Sequence, residues 1–136
     1  MKKIEHIGIA VKDLNVSNKL FSKLLGVSHY KEEEVLSEHV KTSFFKRGPN
    51  KIELLEAIDN EGPIAQFLEK KGEGVHHIAF EVDDIVAEII RLKKEGFTIL
   101  NETPKKGADN KLVAFVHPKS SNGVLIELCQ DVSKEM

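Results

Sequence analysis

The sequence predicts an α+β fold made of two βαβββ modules, an internal duplication within 136 residues. Two stretches raise the idea: HIGIAVKDL beginning at His6 and HIAFEVDDI beginning at His77 share an opening histidine and an apolar, strand-like run. The elements that follow each stretch come in the same order. Equivalent positions also keep nearly constant spacing: 71 residues from His6 to His77, 70 from Gly26 to Gly96 and 74 from Ile52 to Ile126. One hairpin loop accounts for the drift, because HPKSSNG is about three residues longer than KRGPN.

Each element has its own signal. Ile4 to Val11 alternates as a strand, and Asp13 is a suitable N-cap for a helix with Leu14, Leu20, Phe21, Leu24 and Leu25 as its apolar face. Gly26 stops that helix. Strands are expected at Val27 to Val35, His39 to Lys46 and Lys51 to Ala57, with KRGPNK as the turn between the last two. The first module therefore covers about residues 1–57. A linking helix over about 61–72 has Pro63 at its start and Gly72 and Gly74 at its end. The second module, about 75–131, opens with a strand from Val75 to Val82. Asp83 or Asp84 caps a helix carrying Ile85, Ile89, Ile90 and Leu92, which Gly96 ends. Strands at Phe97 to Leu100, Lys111 to Val116 and Gly123 to Cys129 complete it.

Composition narrows the function classes. Apolar residues make up 40% and charged residues 31%, as in ordinary globular domains. The net charge of −2 and the scattered Lys and Arg argue against a nucleic-acid partner. No apolar run approaches the roughly 20 residues of a membrane helix, and MKKIEHIGIAV lacks the long apolar core of a cleavable signal. Cys129 is the single cysteine, so no internal disulfide forms. A cytoplasmic protein of one domain, residues 1–136, is expected.

Four polar residues stand in otherwise apolar strands: His6, Glu53, His77 and Glu127. A lone strand histidine is ordinarily a hydrogen-bonded core or edge residue, and a lone strand glutamate ordinarily faces water. Their equivalence in the two halves favours a shared role. One His and one Glu from each half make a nitrogen and oxygen ligand set suited to a divalent transition ion, with coordination positions left for substrate oxygens. His76 neighbours His77, so alternation turns it to the other face. Its repeat partner Glu5 is expected to be a plain surface residue.

With these residues the chain resembles the vicinal oxygen chelate superfamily, and HIGIAV, IELLE, PIAQFLEKKGEGVHHIAFEVDDI and HPKSSNGVLIEL resemble its methylmalonyl-CoA epimerase family in particular. The resemblance covers nearly the whole chain. It implies a cupped, partly closed mixed sheet around a metal held by His6, Glu53, His77 and Glu127, with Co²⁺ first and Mn²⁺, Ni²⁺ or Zn²⁺ as alternatives. It implies epimerisation of an acyl-CoA substrate, (R)- and (S)-methylmalonyl-CoA, through a metal-stabilised enolate, with Glu127 as both ligand and catalytic base. A homodimer is implied by the same analogy. Some relatives place a second carboxylate on the third strand of the first module, where this chain has Thr42. A bound water or another acid such as Glu38 is then left to serve. Lys119, Ser120 and Lys106 are candidates for substrate binding, with Lys105 and Lys111 also near enough in sequence to screen CoA phosphates.

Two other readings stand beside this one. Glyoxalase I, the lactoylglutathione lyase type, shares the ligand scheme, but ordinarily has DPDGY before the last strand and an arginine early in the first. This chain has HPKSSNG and the run Gly8, Ile9, Ala10 at those places. A non-catalytic ligand-binding protein of the same fold ordinarily lacks the four ligands. The strand register makes a direct prediction: His77→Ala loses bound metal by elemental analysis, whereas His76→Ala keeps it.

Overall fold

The computed structural model describes residues 1–132, and it shows two modules of the expected element order. Residues 6–76 form one compact unit; residues 1–5 together with those from 77 onward form the other. The strands and helices are β1 (Lys3–Ala10), α1 (Leu14–Leu25), β2 (Lys31–Val35), β3 (Val40–Arg47), β4 (Asn50–Ala57), α2 (Pro63–Lys71), β5 (Gly74–Glu81), α3 (Ile85–Lys94), β6 (Lys105–Lys106), β7 (Lys111–Val116) and β8 (Ile126–Asp131).

In the first module the strand order is β2-β3-β4-β1, with β1 parallel to β4 and the other pairs antiparallel. The second module has β6-β7-β8-β5, with β5 parallel to β8. The repeat extends to single residues. Gly8 pairs with Glu53 as Ala79 pairs with Glu127, and Phe44 lies opposite Glu53 as Phe115 lies opposite Glu127. Each helix covers the other face of its own sheet. Leu14, Phe21 and Leu25 of α1 pack on Val11, Phe45 and Leu54, and Ile85, Ile89 and Leu92 of α3 pack on Val82, Val116 and Leu128. Leu54 and Leu128, equivalent and both at 0% exposure, each contribute on the order of 2 kcal/mol by leaving water.

The last strand of each module also caps the helix of that module. The Leu14 N–H donates to Glu56 Oε2 at 2.6 Å, and the Ile85 N–H donates to Gln130 Oε1 at 2.8 Å. These bonds satisfy donors that a helix start leaves without an intrahelical partner. Asp13 and Asp84 are the N-caps proper, accepting from Val16 and Ala87 at 3.1 Å. Asp83, the alternative cap, instead pairs with Lys2 at 3.0 Å.

Several expectations are corrected. The strand expected at Phe97 to Leu100 is reduced to a single bridge between Ile99 and Val116, and β6 lies further on. Asn101 replaces the ladder there: its Oδ1 accepts from the Phe115 N–H, and its Nδ2 donates to the carbonyls of Thr103 and Val113. β2 starts at Lys31 rather than Val27, although the Tyr30 N–H already reaches the Phe44 carbonyl. β8 starts at Ile126 rather than Gly123, because Gly123 (φ 85°) and Val124 are held in a turn by the Pro118 and Ser121 carbonyls. His39 precedes β3 in the left-handed region (φ 56°), closing a short helical turn. Leu20, Leu24 and Ile90 face solvent, because α1 inserts Ser17 and Asn18 into its buried face and α3 uses Ile85, Ile89 and Leu92. Glu5 is buried at 6% exposure instead of lying on the surface.

Gln130→Ala removes the acceptor from the N–H of Ile85, which is 1% exposed, so stability falls by about 1–3 kcal/mol in urea titration. Glu56→Gln keeps an acceptor for Leu14 and costs less than Glu56→Ala.

Candidate metal centre

β1 and β4 are parallel, so strand alternation brings His6, two residues before Gly8, onto the face where Glu53 stands opposite Gly8. His6 Nδ1 lies 3.1 Å from Glu53 Oε2. The second module repeats this through β5 and β8: His77 Nε2 lies 3.3 Å from Glu127 Oε1. All four side chains are buried, between 4% and 7% exposed. Gly8 and Ala79, the small residues beside the glutamates, carry no bulky side chain into that row. An aromatic ring stands on the other side of each glutamate, Phe44 in one module and Phe115 in the other. The Phe115 ring meets the His77 ring edge-on at 6.4 Å.

Two buried carboxylates are costly unless a positive charge or several donors compensate them. A divalent cation held by these carboxylates and imidazoles supplies such a charge. The donor set also fits: each module offers one imidazole nitrogen and one carboxylate oxygen, ligands suited to a borderline divalent ion. Sequence reasoning missed Phe44 and Phe115, although their 71-residue separation, the same as His6 to His77, was available to find them.

The other named residues fall as follows. Thr42 is 1% exposed on β3 and opposite Leu55. Glu38 lies in the helical turn before β3. Ser120 Oγ accepts from the Thr98 N–H at 2.9 Å, tying the loop before β8 to the segment after α3. The Lys119 N–H donates to His117 Nδ1. Lys106 is exposed on β6, and the Lys105 Nζ sits 5.8 Å from the Phe115 ring centroid. Lys111 is buried and paired with Asp131 at 3.4 Å, so it is spoken for within the fold. Cys129 is fully buried, its Sγ 3.5 Å from the Phe80 carbonyl.

His76 packs edge-on against Phe67, with ring centroids 5.1 Å apart, and is separate from the ligand pairs. Burial, helped by the Lys71 charge, pushes its pKa down to about 4. His39 is the opposite case. A 2.9 Å hydrogen bond to Asp59 raises its pKa above the ordinary value and lowers that of Asp59.

The chain matches the family described as the glyoxalase/bleomycin resistance protein/dioxygenase superfamily over residues 5–115. It is 42% identical over 130 residues to the mitochondrial methylmalonyl-CoA epimerase of Homo sapiens, covering 94% of this chain and 73% of that one. It is 40% identical over 130 residues to the ethylmalonyl-CoA/methylmalonyl-CoA epimerase of Cereibacter sphaeroides, covering 94% and 97%. Among solved structures, a methylmalonyl-CoA epimerase in complex with methylmalonyl-CoA and ammonium superposes with a TM-score of 0.93 at 30% identity, over 98% of this chain and 96% of that one. Among the described residues no helix is long and apolar enough to cross a membrane.

The histidine environments predict distinct titrations by imidazole proton NMR. His76 titrates near pH 4 and His39 above 6.5, with Asp59→Asn returning His39 toward 6.5. The unfolded chain takes up a proton at His76 near pH 6.5 that the folded chain refuses until about 4. Stability therefore falls as pH drops through that window, by up to about 3 kcal/mol.

Proposed function

The chain belongs to the glyoxalase/bleomycin resistance protein/dioxygenase superfamily, and from that premise we propose that it interconverts the two epimers of methylmalonyl-CoA. The whole chain is read as one vicinal oxygen chelate domain of two modules. The observation that carries this reading is the duplicated pairing of a buried histidine with a buried glutamate at equivalent register. Relatives named for that activity at 40–42% identity support it. His6, Glu53, His77 and Glu127 are the residues to hold a divalent ion, Co²⁺ first. When bound, such an ion supplies Lewis acidity to the substrate's thioester and carboxylate oxygens.

The protein's own residues do the rest. Glu127 moves the proton at C2, as the carboxylate that both neighbours the ion and reaches the substrate. The flanking rings of Phe44 and Phe115 keep water from the carboxylates, which strengthens every charge interaction around them. In this reading the amines of Lys106 and Lys119, both exposed, meet CoA phosphates. Ser120 acts indirectly, by fixing the loop that carries Lys119. The same reading carries a homodimer in the cytoplasm.

Incubation with methylmalonyl-CoA in deuterium oxide tests this. The Co²⁺-loaded protein takes deuterium into C2 with loss of stereochemical purity, and chelation stops it. Glu127→Gln lowers turnover by about 100-fold or more and weakens metal binding. Absence of exchange by the metal-loaded protein would refute the reading.

A further inference from the structure

We propose that Lys31 recognises the free carboxylate of the substrate and so selects malonyl-type thioesters over acyl-CoAs that lack it; the assignment rests on the acyl-CoA reading above. Charge balance calls for such a group. Two glutamates offset a divalent ion, so the carboxylate that the substrate brings arrives without a counter-charge. A charge-assisted bond from an ammonium to the carboxylate oxygen left over after chelation supplies it.

Strand register places Lys31 on the ligand face of the first module. Paired residues in neighbouring strands share a face, and successive residues alternate. One row of that face runs Gly8, Glu53, Phe44, Lys31 across β1, β4, β3 and β2. Phe44 alone separates Lys31 from the ligand Glu53 in this row. Neighbouring strands stand about 4.8 Å apart, so the two Cα atoms are about 10 Å apart, a gap that a lysine and a glutamate side chain span together. Lys46 and Lys51, the other lysines of this face, stand opposite each other in the row on the other side of Glu53. Like charges so placed repel rather than converge on one anion.

The side chain also runs in the required direction. A surface lysine ordinarily carries its ammonium out to water. The Lys31 Nζ instead lies 4.7 Å from the Phe44 ring centroid, folded back over the ring that flanks Glu53. The electron-rich face of the ring attracts the cation there. Glu33 Oε1 lies 3.9 Å from the same Nζ, beyond hydrogen-bond length, and helps to keep the ammonium on this face.

The second module repeats the arrangement. Lys105 follows Lys31 by 74 residues, as Glu127 follows Glu53, and its Nζ lies 5.8 Å from the ring of Phe115, the residue opposite Glu127. Glutamate, ring and ammonium thus recur in both halves, although the surrounding KEEEV and KKGAD are unalike. One difference decides between the two lysines. Lys105 pairs with Val113 rather than with Phe115, so it stands one row off its glutamate, whereas Lys31 shares the row of Glu53. Lys31 therefore serves the acyl end, which lies a whole pantetheine arm from the CoA phosphates. The carboxylate is present in the bound substrate and throughout the reaction, so Lys31 acts on binding rather than on the proton transfer itself.

The test titrates the whole Co²⁺-loaded chain calorimetrically with malonyl-CoA and with acetyl-CoA, which differ only in the carboxylate. Lys31→Met keeps the stem over Phe44 and removes the charge. It weakens malonyl-CoA by about 10-fold, while acetyl-CoA affinity and metal content stay within about twofold of wild type. Lys31→Arg, which keeps the charge, binds malonyl-CoA within about threefold of wild type. With methylmalonyl-CoA the loss in Lys31→Met appears in KM, and kcat stays within about threefold. Lys41→Met, on the opposite face of β3 beside Glu32, behaves as wild type. A Lys31→Met protein that binds malonyl-CoA as tightly as wild type, or that loses affinity for both esters equally, overturns the assignment alone. A wild type that binds neither ester overturns the acyl-CoA reading, and this assignment with it.

Discussion

The parallel pairing of the first and last strands within each module is the constraint on which the rest depends. β1 and β4, like β5 and β8, are joined only through a helix and two intervening strands. That long connection lets residues from opposite ends of a module become lateral neighbours. Without it His6 and Glu53 would stand at opposite ends of a meander, and so would His77 and Glu127. A slip of one residue in either pairing would turn the glutamate to the helix side and expose its helix cap to the ligand side.

Both faces of the last strand are committed, which makes such a slip expensive. On β4, Glu53 and Leu55 point one way while Leu54 and Glu56 point the other. Leu54 is the centre of the packing under α1, and Glu56 satisfies the start of that helix. On β8 the same four positions are Glu127, Cys129, Leu128 and Gln130. Apolar burial and helix capping therefore fix the register, and the buried His–Glu pairs are carried by it.

The modules, their order and the pairing of His6 with Glu53 and of His77 with Glu127 were legible in the sequence because duplication shows each signal twice. HIGIAV beside HIAFEV, and IEL beside IEL, fixed a register that neither half would have specified alone. The illegible parts depend on side chains that act at long range. Nothing local in FTILNETP says that Asn101 will take over a strand's hydrogen bonds. Likewise the apolar count of α1 favoured Leu20 and Leu24 for the core, whereas packing selected Ser17 and Asn18, placed on its buried side by helical phase. Glu5 reads as an exposed charge next to a strand histidine, and its burial comes from tertiary surroundings. Glu33 sits within KEEEV, three consecutive acids among which only cross-strand register distinguishes one face from the other.

The paired helix caps bear on the ancestry of the chain. At equivalent places one module has Glu56 and the other Gln130, since any carbonyl-like oxygen will satisfy the N–H. Three positions earlier both modules have glutamate, and both face a histidine. The repeats have thus drifted where hydrogen bonding alone is asked for and stayed alike where charge is asked for. Such a pattern fits descent from a half-length protein that carried one histidine and one glutamate per copy.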